Sequence, residues 1–412
     1  MDIETITYKG LQLPISISLV NNDSKKLFFI DYNVNIDIEI SVKKMWKELF
    51  KYLEKNCLNY KIIFIHNLGS FDGYFIYKYL SDYDKPEQVK TIIDQHNKFI
   101  TISYLTKNKD KITWKDSYRI FSVSLNNLCK NYEVEGKLTP YKEIYNSIEI
   151  FQSEELLNEF KDYNLQESIA LYMVLVKIQE IYILEYNVDI STILSTSTLS
   201  MKIFRSNFLK VKIPILKDDV DNFIRKGYFG GATDYYKCYG ENLYYYDVNS
   251  LYPHSMCKPM PYEIIAHHQD MYDIELENLF GFCEAEISTP DTLTPLLPYK
   301  YQGKTIFPTG KWRATYFSEE LKAVTSYGYK VTLIRGYEFS KIELFNSYIE
   351  HFYHNKQFAI GSERLIPKLQ LNNLYGIFGR RKDLIETVNI YRKDIPKYIT
   401  NNVIKNIITI SD

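Results

Sequence analysis

Apolar runs rich in β-branched and aromatic residues alternate with helical stretches through the first 190 residues of this chain. The spacing predicts strands at Lys61–Ile65, Phe99–Tyr104 and Ile112–Trp114, and helices over Val42–Glu54 and Leu165–Glu180. Elements that alternate in this way stack in layers and bury their apolar faces against one another. The alternation therefore predicts an α/β domain over residues 1–190.

The chain is too long for a single hydrophobic core. It has 412 residues, of which 45% are hydrophobic, and single cores stop growing at roughly 250–300 residues. Residues 191–240 are first rich in Ser and Thr and then in Gly, which predicts a connection between domains. Within it, Asp218-Asp219-x-Asp221 is expected to be a solvated loop. Prolines and strand-like segments around Phe282–Ile287 and Lys330–Leu333 predict a β-rich insertion at about 258–345 within a second part, 241–412. The expected fold class is α/β plus α+β.

Charge and cysteine content exclude some kinds of site. With a net charge of −1, any binding of nucleic acid must come from local lysine clusters. The five cysteines form no Cys-x-x-Cys pair, which disfavours a zinc site and a disulfide framework. No apolar run is long enough to span a membrane, and the acidic start shows no import signal. We expect a protein with no membrane partner.

Carboxylates occur at three places in the first domain. Asp2 and Glu4 are two residues apart and share one face if they lie on a strand. The buried-strand pattern Ile62–Ile65 runs into His66-Asn67-Leu68-Gly69-Ser70-Phe71-Asp72-Gly73, a turn that delivers Asp72. Tyr163 and Glu167 are four apart on a helix that Tyr163 opens. Four acids and one tyrosine can therefore converge.

These segments resemble, in order, the three exonuclease motifs of family B DNA polymerases. The resemblance implies an RNase H-like 3′→5′ exonuclease domain, in which Asp2, Glu4, Asp72 and Glu167 bind two Mg²⁺ or Mn²⁺ ions and Tyr163 orients the attacking water. Asn67 and Phe71 would hold the single-stranded 3′ end, and Lys137 would be an auxiliary lysine. The third motif normally ends in Asp, so Glu167 predicts reduced activity. Asp2 follows the initiator directly, where a frayed terminus is expected.

Two further segments resemble polymerase motifs of the same family. Asp247-Val248-Asn249-Ser250-Leu251-Tyr252-Pro253 resembles motif A, with a predicted strand over Leu243–Val248. The resemblance implies that Asp247 and the Val248 carbonyl bind metal, and that Tyr252 stacks under the deoxyribose. Lys368-Leu369-Gln370-Leu371-Asn372-Asn373-Leu374-Tyr375-Gly376 resembles motif B, whose Lys368, Asn372 and Tyr375 share one helix stripe and would bind the nucleotide. Lys356 is expected three turns earlier on the same face, as a second triphosphate-binding lysine.

Other segments indicate the protein-primed branch of the family. Tyr228-Phe229-Gly230-Gly231 resembles a Tyr-x-Gly-Gly loop, so Tyr228, Gly230 and Gly231 are expected to contact DNA. Pro308–Trp312 and the segment after it resemble an insertion that contacts the priming protein. The implied partners are primer and template DNA, dNTPs and a terminal protein. The 38 Tyr and the excess of Lys over Arg fit AT-rich coding, which favours a mitochondrial location, with a cytoplasmic linear plasmid or a virus as the alternative.

The metal-binding Asp-Thr-Asp motif of the family is not found in this sequence, nor is a thumb region. We therefore expect a partial palm and fingers and incomplete polymerisation by residues 1–412. Three functions stay open at this point. The first is protein-primed, template-directed DNA synthesis with 3′→5′ proofreading. The second is residual 3′→5′ exonuclease activity only. The third is an inactive remnant that binds DNA or the terminal protein.

Overall fold

The computed structural model describes residues 1–32, 37–56, 60–136, 140–233, 238–291, 295–359, 364–380 and 387–409. The chain divides into two compact units. Unit 1 is Met1–Asn207 with His351–Asp412, and unit 2 is Phe208–Glu350. Within the described ranges, no helix is both long and apolar enough to cross a membrane.

The helices and strands follow one another in mixed order. Those before residue 208 are β1 (Asp2–Tyr8), β2 (Leu11–Val20), β3 (Lys25–Phe29), α1 (Ile38–Asn56), β4 (Tyr60–Ile65), α2 (Asp72–Tyr83), β5 (Val89–Ile93), β6 (Phe99–Leu105), β7 (Lys111–Asp116), α3 (Ser117–Ile120), α4 (Leu125–Asn131), α5 (Glu154–Tyr186) and α6 (Thr196–Ile203). Those that follow are α7 (Asp218–Lys226), α8 (Leu251–Met256), β8 (Met260–His268), β9 (Gly281–Ser288), β10 (Tyr299–Tyr301), β11 (Lys304–Ile306), β12 (Lys311–Phe317), α9 (Ser318–Thr325), β13 (Lys330–Ile342), α10 (Asn346–Phe358), α11 (Leu365–Phe378) and α12 (Ile395–Asn401).

Two sheets form the framework of unit 1. One is antiparallel, in the order β1-β2-β3. The other has the order β4-β7-β6-β5, in which β4 and β7 run parallel. Because parallel strands end at the same sheet edge, the pairing of Ile65 with Asp116 places the segment after β4 beside the start of α3. The predicted strands at 61–65, 99–104 and 112–114 are confirmed as β4, β6 and β7.

Helix α5 covers the β1-β2-β3 sheet. It begins after Ser153, whose side chain accepts a hydrogen bond from the Leu156 amide, and it ends at Asn187 in the left-handed region, at φ 53°. The helix is longer than the predicted 165–180, so Tyr163 lies inside it and does not open it. Helix α5 presents its side chains to β1 and β2 on one face of this sheet. Ile6, Ile15 and Ile17 are fully buried on the other face.

Unit 2 is built on the antiparallel sheet β12-β9-β13-β8. Cys283, Ala285 and Ile287 alternate along β9 and point into one core with Tyr316 and Leu321. The strands predicted around 282–287 and 330–333 are confirmed as β9 and β13.

The prediction of a loop at the acidic triplet was wrong. Asp218, Asp219 and Asp221 form the first turn of α7, and Asp221 accepts a hydrogen bond from Arg225 at 2.7 Å. Acidic side chains in a first turn favour a helix because they complement its dipole.

Candidate functional site

Strand β1 carries the first two candidate acids. Asp2 and Glu4 lie opposite Ser18 and Ser16 of β2, while Ile3 between them points the other way and is 4% exposed. Residues two apart on a strand share a face, so both carboxylates lie on the side of the sheet that α5 covers. There the amide Nδ2 of Asn164 donates to Asp2 Oδ2 at 2.7 Å.

The expected frayed terminus is not found. The Met1 side chain is buried, and its α-amino group donates to the carbonyl oxygen of Phe64 at 3.1 Å. Burial lowers the pKa of this amine to about 6, against the raising effect of Asp2 and Asp72. The contact places the start of β1 beside the end of β4, because Phe64 is the penultimate residue of that strand.

Asp72 is the first residue of α2 and is only 5% exposed. Its Oδ1 is buried and has no hydrogen-bond partner among the residues that the structure describes. Burial raises the pKa of Asp72 well above its ordinary value, and the nearby Asp2 and Asp116 carboxylates raise it further. Since each unpaired buried charge is unfavourable, this carboxylate is suited to bind a cation.

The turn before Asp72 is held by Asp116, at the end of β7. Asp116 Oδ1 accepts from the Asn67 and Tyr118 amides, each at 2.9 Å, and Oδ2 accepts from the Gly69 amide at 3.0 Å. A Cβ atom on Gly69 would lie 2.5 Å from the Phe99 carbonyl oxygen, so only glycine fits there. Sequence reasoning missed Asp116, although an acid between a strand and a helix-starting Ser is a recognisable N-cap signal.

Asn67 and Phe71 lie on the exposed side of the same turn. Asn67 adopts the left-handed conformation at φ 74°. The ring of Phe71 is 39% exposed and packs edge-on against Phe75, with ring centroids 5.2 Å apart. The candidate Lys137 lies outside the described residues.

Tyr163 and Glu167 lie one turn apart on α5. The Tyr163 ring is buried against Tyr145, with ring centroids 5.3 Å apart. Burial raises the pKa of Tyr163, as do the carboxylates of Glu167, Glu4 and Asp2, and Glu167 also hydrogen-bonds to it. The hydroxyl therefore stays protonated at neutral pH and is able to donate a proton in a hydrogen bond.

The candidate acids of the first domain lie close enough to one another for their charges to interact. Tyr163 interacts electrostatically with Asp2, Glu4 and Glu167, and Asp72 interacts with Asp2. Among the described side chains, however, no three of the Asp, Glu, His and Cys type form a ready ligand group for a metal ion. Mg²⁺ is commonly bound by one or two carboxylates together with water and substrate phosphates. Asp2 and Asp72, with the buried Asp72 Oδ1 that lacks a partner among the described residues, fit that mode of binding.

Unit 2 carries the segment that resembles motif A. The predicted strand over Leu243–Val248 is not present: these residues form no strand, and Tyr245 is 92% exposed. A strand needs a hydrogen-bonded neighbour, and none of the strands in the described chain pairs with this run. Asp247 and Val248 are therefore exposed on an irregular segment.

Tyr252 lies on the short helix α8, which follows Ser250 in the left-handed conformation. A Cβ on Gly231 would lie 2.8 Å from the Tyr252 hydroxyl oxygen, so the structure brings Gly231 and Tyr252 together. Tyr228 is 55% exposed, and among the described residues no atom beyond the adjacent residues lies within 4 Å of a Cβ built on Gly230.

The segment that resembles motif B forms α11 in unit 1. Lys368, Asn372 and Tyr375 lie on its exposed side, as the spacing predicts. On the opposite side, the Ser200 hydroxyl of α6 donates to the buried Gln370 Oε1 at 2.7 Å. This hydrogen bond fixes which side of α11 faces α6. The prediction that Lys356 continues the same helix was wrong, because α10 ends at Phe358 and α11 begins at Leu365.

Lys356 is nevertheless influenced by cations of the α11 region. Its pKa is lowered by burial first, and then by the positive charges of Arg364 and Lys368. Arg364, just before α11, was missed by sequence reasoning. A signal was available, since Arg364 and Lys368 are four residues apart.

Comparisons with known proteins agree with this fold. A family model described as DNA polymerase type B, organellar and viral, matches residues 56–412. The chain is 30% identical to a probable DNA polymerase of Podospora anserina over 96% of its length and 39% of the relative's. It is 26% identical to a DNA polymerase of Bacillus phage Nf, over 90% of this chain and 71% of the phage protein.

The solved structures that match show the same fold. Phi29 DNA polymerase in complex with primer-template DNA and incoming nucleotides superposes with a TM-score of 0.67 at 18% identity, over 91% of this chain and 67% of that one. The present chain spans well under two thirds of some relatives, for example 43% of a probable DNA polymerase of Neurospora intermedia.

Proposed function

This chain belongs to the organellar and viral family of type B DNA polymerases, and we propose that it acts in template-directed DNA synthesis with a 3′→5′ exonuclease site in unit 1. The observation that carries the nuclease proposal is the position of Asp72. Its buried carboxylate lies close enough to Asp2 for their charges to interact, and its Oδ1 has no hydrogen-bond partner among the described residues.

Divalent metal ions fit this arrangement. Carboxylate oxygens are the ligands that Mg²⁺ and Mn²⁺ prefer, and Asp2, Glu4, Asp72 and Glu167 would hold two ions with the DNA phosphates. Such ions supply a hydroxide nucleophile and stabilise the charge that develops on the phosphoryl group. Until metal binds, burial and the nearby Asp2 charge favour the protonated form of Asp72, whose pKa they raise.

The neighbouring side chains would position the substrate and the water. The protonated Tyr163 hydroxyl, beside Glu167, would hold the attacking water. Asn67 and Phe71 would hold the unpaired 3′ end, with the exposed Phe71 ring against a base, since base–aromatic contact is tolerant of sequence. Asp116 would keep that turn in place through its hydrogen bonds from the backbone amides of Asn67 and Gly69.

The polymerase residues fall into three groups. Asp247 and the Val248 carbonyl would bind metal, and Tyr252 would contact the sugar of the incoming nucleotide. The exposed stripe of α11, Lys368, Asn372 and Tyr375, would contact the nucleotide together with Lys356. Tyr228, Gly230 and Gly231 would contact template DNA. The groups that would contact phosphate are the lysines Lys356 and Lys368 and the backbone amides at Gly230 and Gly231. Cations and backbone N–H groups both suit an anionic ligand.

The partners that we propose are primer and template DNA, dNTPs and a terminal protein that primes synthesis. The relatives come from fungi and from phages. A mitochondrial location is the one that we propose, and a cytoplasmic plasmid or viral origin is the alternative.

A 5′-labelled single-stranded oligonucleotide with Mg²⁺ tests the nuclease proposal. We expect a ladder of products shortened from the 3′ end, which Asp72→Ala abolishes. Asp82→Ala is the matched control, because Asp82 is an exposed acid on the same helix, α2. Equal activity in Asp72→Ala and Asp82→Ala would contradict the proposal.

Primer extension tests the synthetic activity separately. Asp247→Ala is expected to abolish extension and to leave 3′ degradation intact. Asp270→Ala, an exposed acid of the same unit, is expected to change neither activity. Loss of both activities in Asp247→Ala would contradict the assignment of distinct residues to the two reactions.

A further inference from the structure

A buried polar network connects α5 to the strand that carries Asp2. Its members are Ser16 and Ser18 of β2 and Asn164 and Ser168 of α5, all 1% exposed or less. Ser16 pairs with Glu4 and Ser18 pairs with Asp2 in the β1–β2 register. The network therefore lies beside the two acids of β1, on the same face of the sheet.

Asn164 is the member that reaches an acid. Its Nδ2 donates to Asp2 Oδ2 at 2.7 Å, and its Oδ1 accepts from the Ser16 hydroxyl at 2.9 Å. The orientation of the amide follows from chemistry, because the reverse orientation would place an amide oxygen against a carboxylate oxygen. A hydrogen bond to a charged acceptor is stronger than one between neutral groups, and low surrounding polarity strengthens it further.

The backbone of Asn164 is held as firmly as its side chain. The Ser18 hydroxyl donates to the Asn164 carbonyl oxygen at 2.9 Å, and the Ser18 and Ser168 hydroxyl oxygens are 2.6 Å apart. Ser16 and Ser18 of β2 thus hold both the side-chain amide and the backbone carbonyl of Asn164. Because these contacts hold Asn164 in place, its hydrogen bond to Asp2 restrains the orientation of the Asp2 carboxylate.

We propose that Asn164 is a positioning residue that sets the orientation of the Asp2 carboxylate for a divalent cation. The proposal rests on the nuclease function proposed above. Groups that orient metal ligands typically change metal affinity or activity by about 10–100-fold when they are removed. A residue that merely filled space would have no such effect on metal binding.

The test measures Mn²⁺ binding to the full chain by electron paramagnetic resonance, together with degradation of a single-stranded oligonucleotide in Mg²⁺. Asn164→Leu keeps much of the side-chain volume and removes the hydrogen bond to Asp2. We expect its half-saturating Mn²⁺ concentration to rise by about 10–100-fold. Ser168→Ala is the matched control, since it removes a buried hydroxyl of the same network that does not contact Asp2, and its Mn²⁺ affinity should match that of the wild type.

Ser16→Ala provides a second test that does not depend on the folding of Asn164→Leu. It removes the donor that holds the Asn164 amide, so a weaker Mn²⁺ affinity with a normal circular dichroism spectrum supports the proposal. Mn²⁺ affinity equal to that of Ser168→Ala in both Asn164→Leu and Ser16→Ala overturns it. If Asn164→Leu does not fold, Ser16→Ala alone decides. A wild-type chain with neither Mn²⁺ saturation nor nuclease activity would instead refute the proposed function itself.

Discussion

Replacing Asp72 with asparagine should stabilise the metal-free protein while it abolishes hydrolysis of 3′ ends. The wild-type carboxylate is 5% exposed, and its Oδ1 lacks a hydrogen-bond partner in the described part of the chain. Asparagine keeps a polar group at this position and removes only the charge, and leaving a charged group buried costs more than the about 1–3 kcal/mol of a neutral one. Each kcal/mol gained raises the melting temperature by roughly 2–4 °C in a domain of about 150–250 residues, and by less in a larger one.

The pH dependence has a definite sign. The folded-state pKa of Asp72 lies well above its ordinary value of 3.8, so the folded protein binds this proton more tightly than the unfolded chain does. Wild-type stability from this group is therefore complete below the ordinary value and is lost as the pH rises toward the folded-state pKa. The advantage of Asp72→Asn should be absent in acid and largest in mild alkali, where the Met1 amine, with a pKa of about 6, is neutral.

Differential scanning calorimetry in EDTA, at pH 8 and at pH 5, measures this difference. Asp82→Asn on the same helix is the control and should have the melting temperature of the wild type at both pH values. Added Mg²⁺ should stabilise the wild type and leave Asp72→Asn unchanged, because bound ligand stabilises only the protein that binds it. A melting temperature for Asp72→Asn below that of the wild type in EDTA at pH 8 would refute the reasoning.

Three further outcomes follow from the geometry. Tyr163→Phe should lower the nuclease rate by about 10²-fold, as expected for a misplaced reactant, with no change in single-strand affinity, both measured with a labelled oligonucleotide. Gly69→Ala should lower the unfolding free energy in urea by about 1–3 kcal/mol, because its Cβ would lie 2.5 Å from the Phe99 carbonyl oxygen. Lys368→Ala should raise the pKa of Lys356, measured by NMR titration, because it removes a nearby positive charge.

Each of these outcomes has a control in the same unit. Tyr141→Phe alters an exposed tyrosine next to Tyr163 and should keep the wild-type nuclease rate. Gly376→Ala should not lose stability, since no atom of the described residues, outside the adjacent residues and the backbone of its own helix, lies within 4 Å of the added Cβ. Lys393→Ala, which removes a lysine that lies over the Tyr391 ring, should leave the pKa of Lys356 unchanged. A variant that behaves like its control would contradict the corresponding expectation.

The parts of unit 1 that sequence predicts well are those set by local periodicity. Asp2 and Glu4 share a face because side chains alternate along any strand, and the buried run of β4 leads into the turn that ends at Asp72. Although the N-cap position of Asp116 has a local signal, its contact with the turn before Asp72 could not be predicted in the same way. Its role depends on the parallel pairing of β4 with β7, which is a long-range contact that no local pattern encodes.

Two predictions failed where a local pattern was extended beyond its range. The helical period that links Lys356 to Lys368 requires one continuous helix, but α10 already ends at Phe358. Pro367 lies in the first turn of α11. Proline is accepted there because the amide N–H groups of a first turn have no carbonyl partner within the helix. The tyrosine run before Asp247 has strand propensity, but propensity alone does not supply a pairing partner.

The central claim is that Asp2 and Asp72 together bind a divalent cation at the edge where β1 and β4 meet. Anomalous diffraction from crystals grown with Mn²⁺ and a short single-stranded oligonucleotide tests it most directly. We expect an anomalous peak at roughly 2.0–2.2 Å from carboxylate oxygens of both residues, near the distances that hard divalent ions adopt. Anomalous peaks only at other acids, with Asp2 and Asp72 uncoordinated, would contradict it.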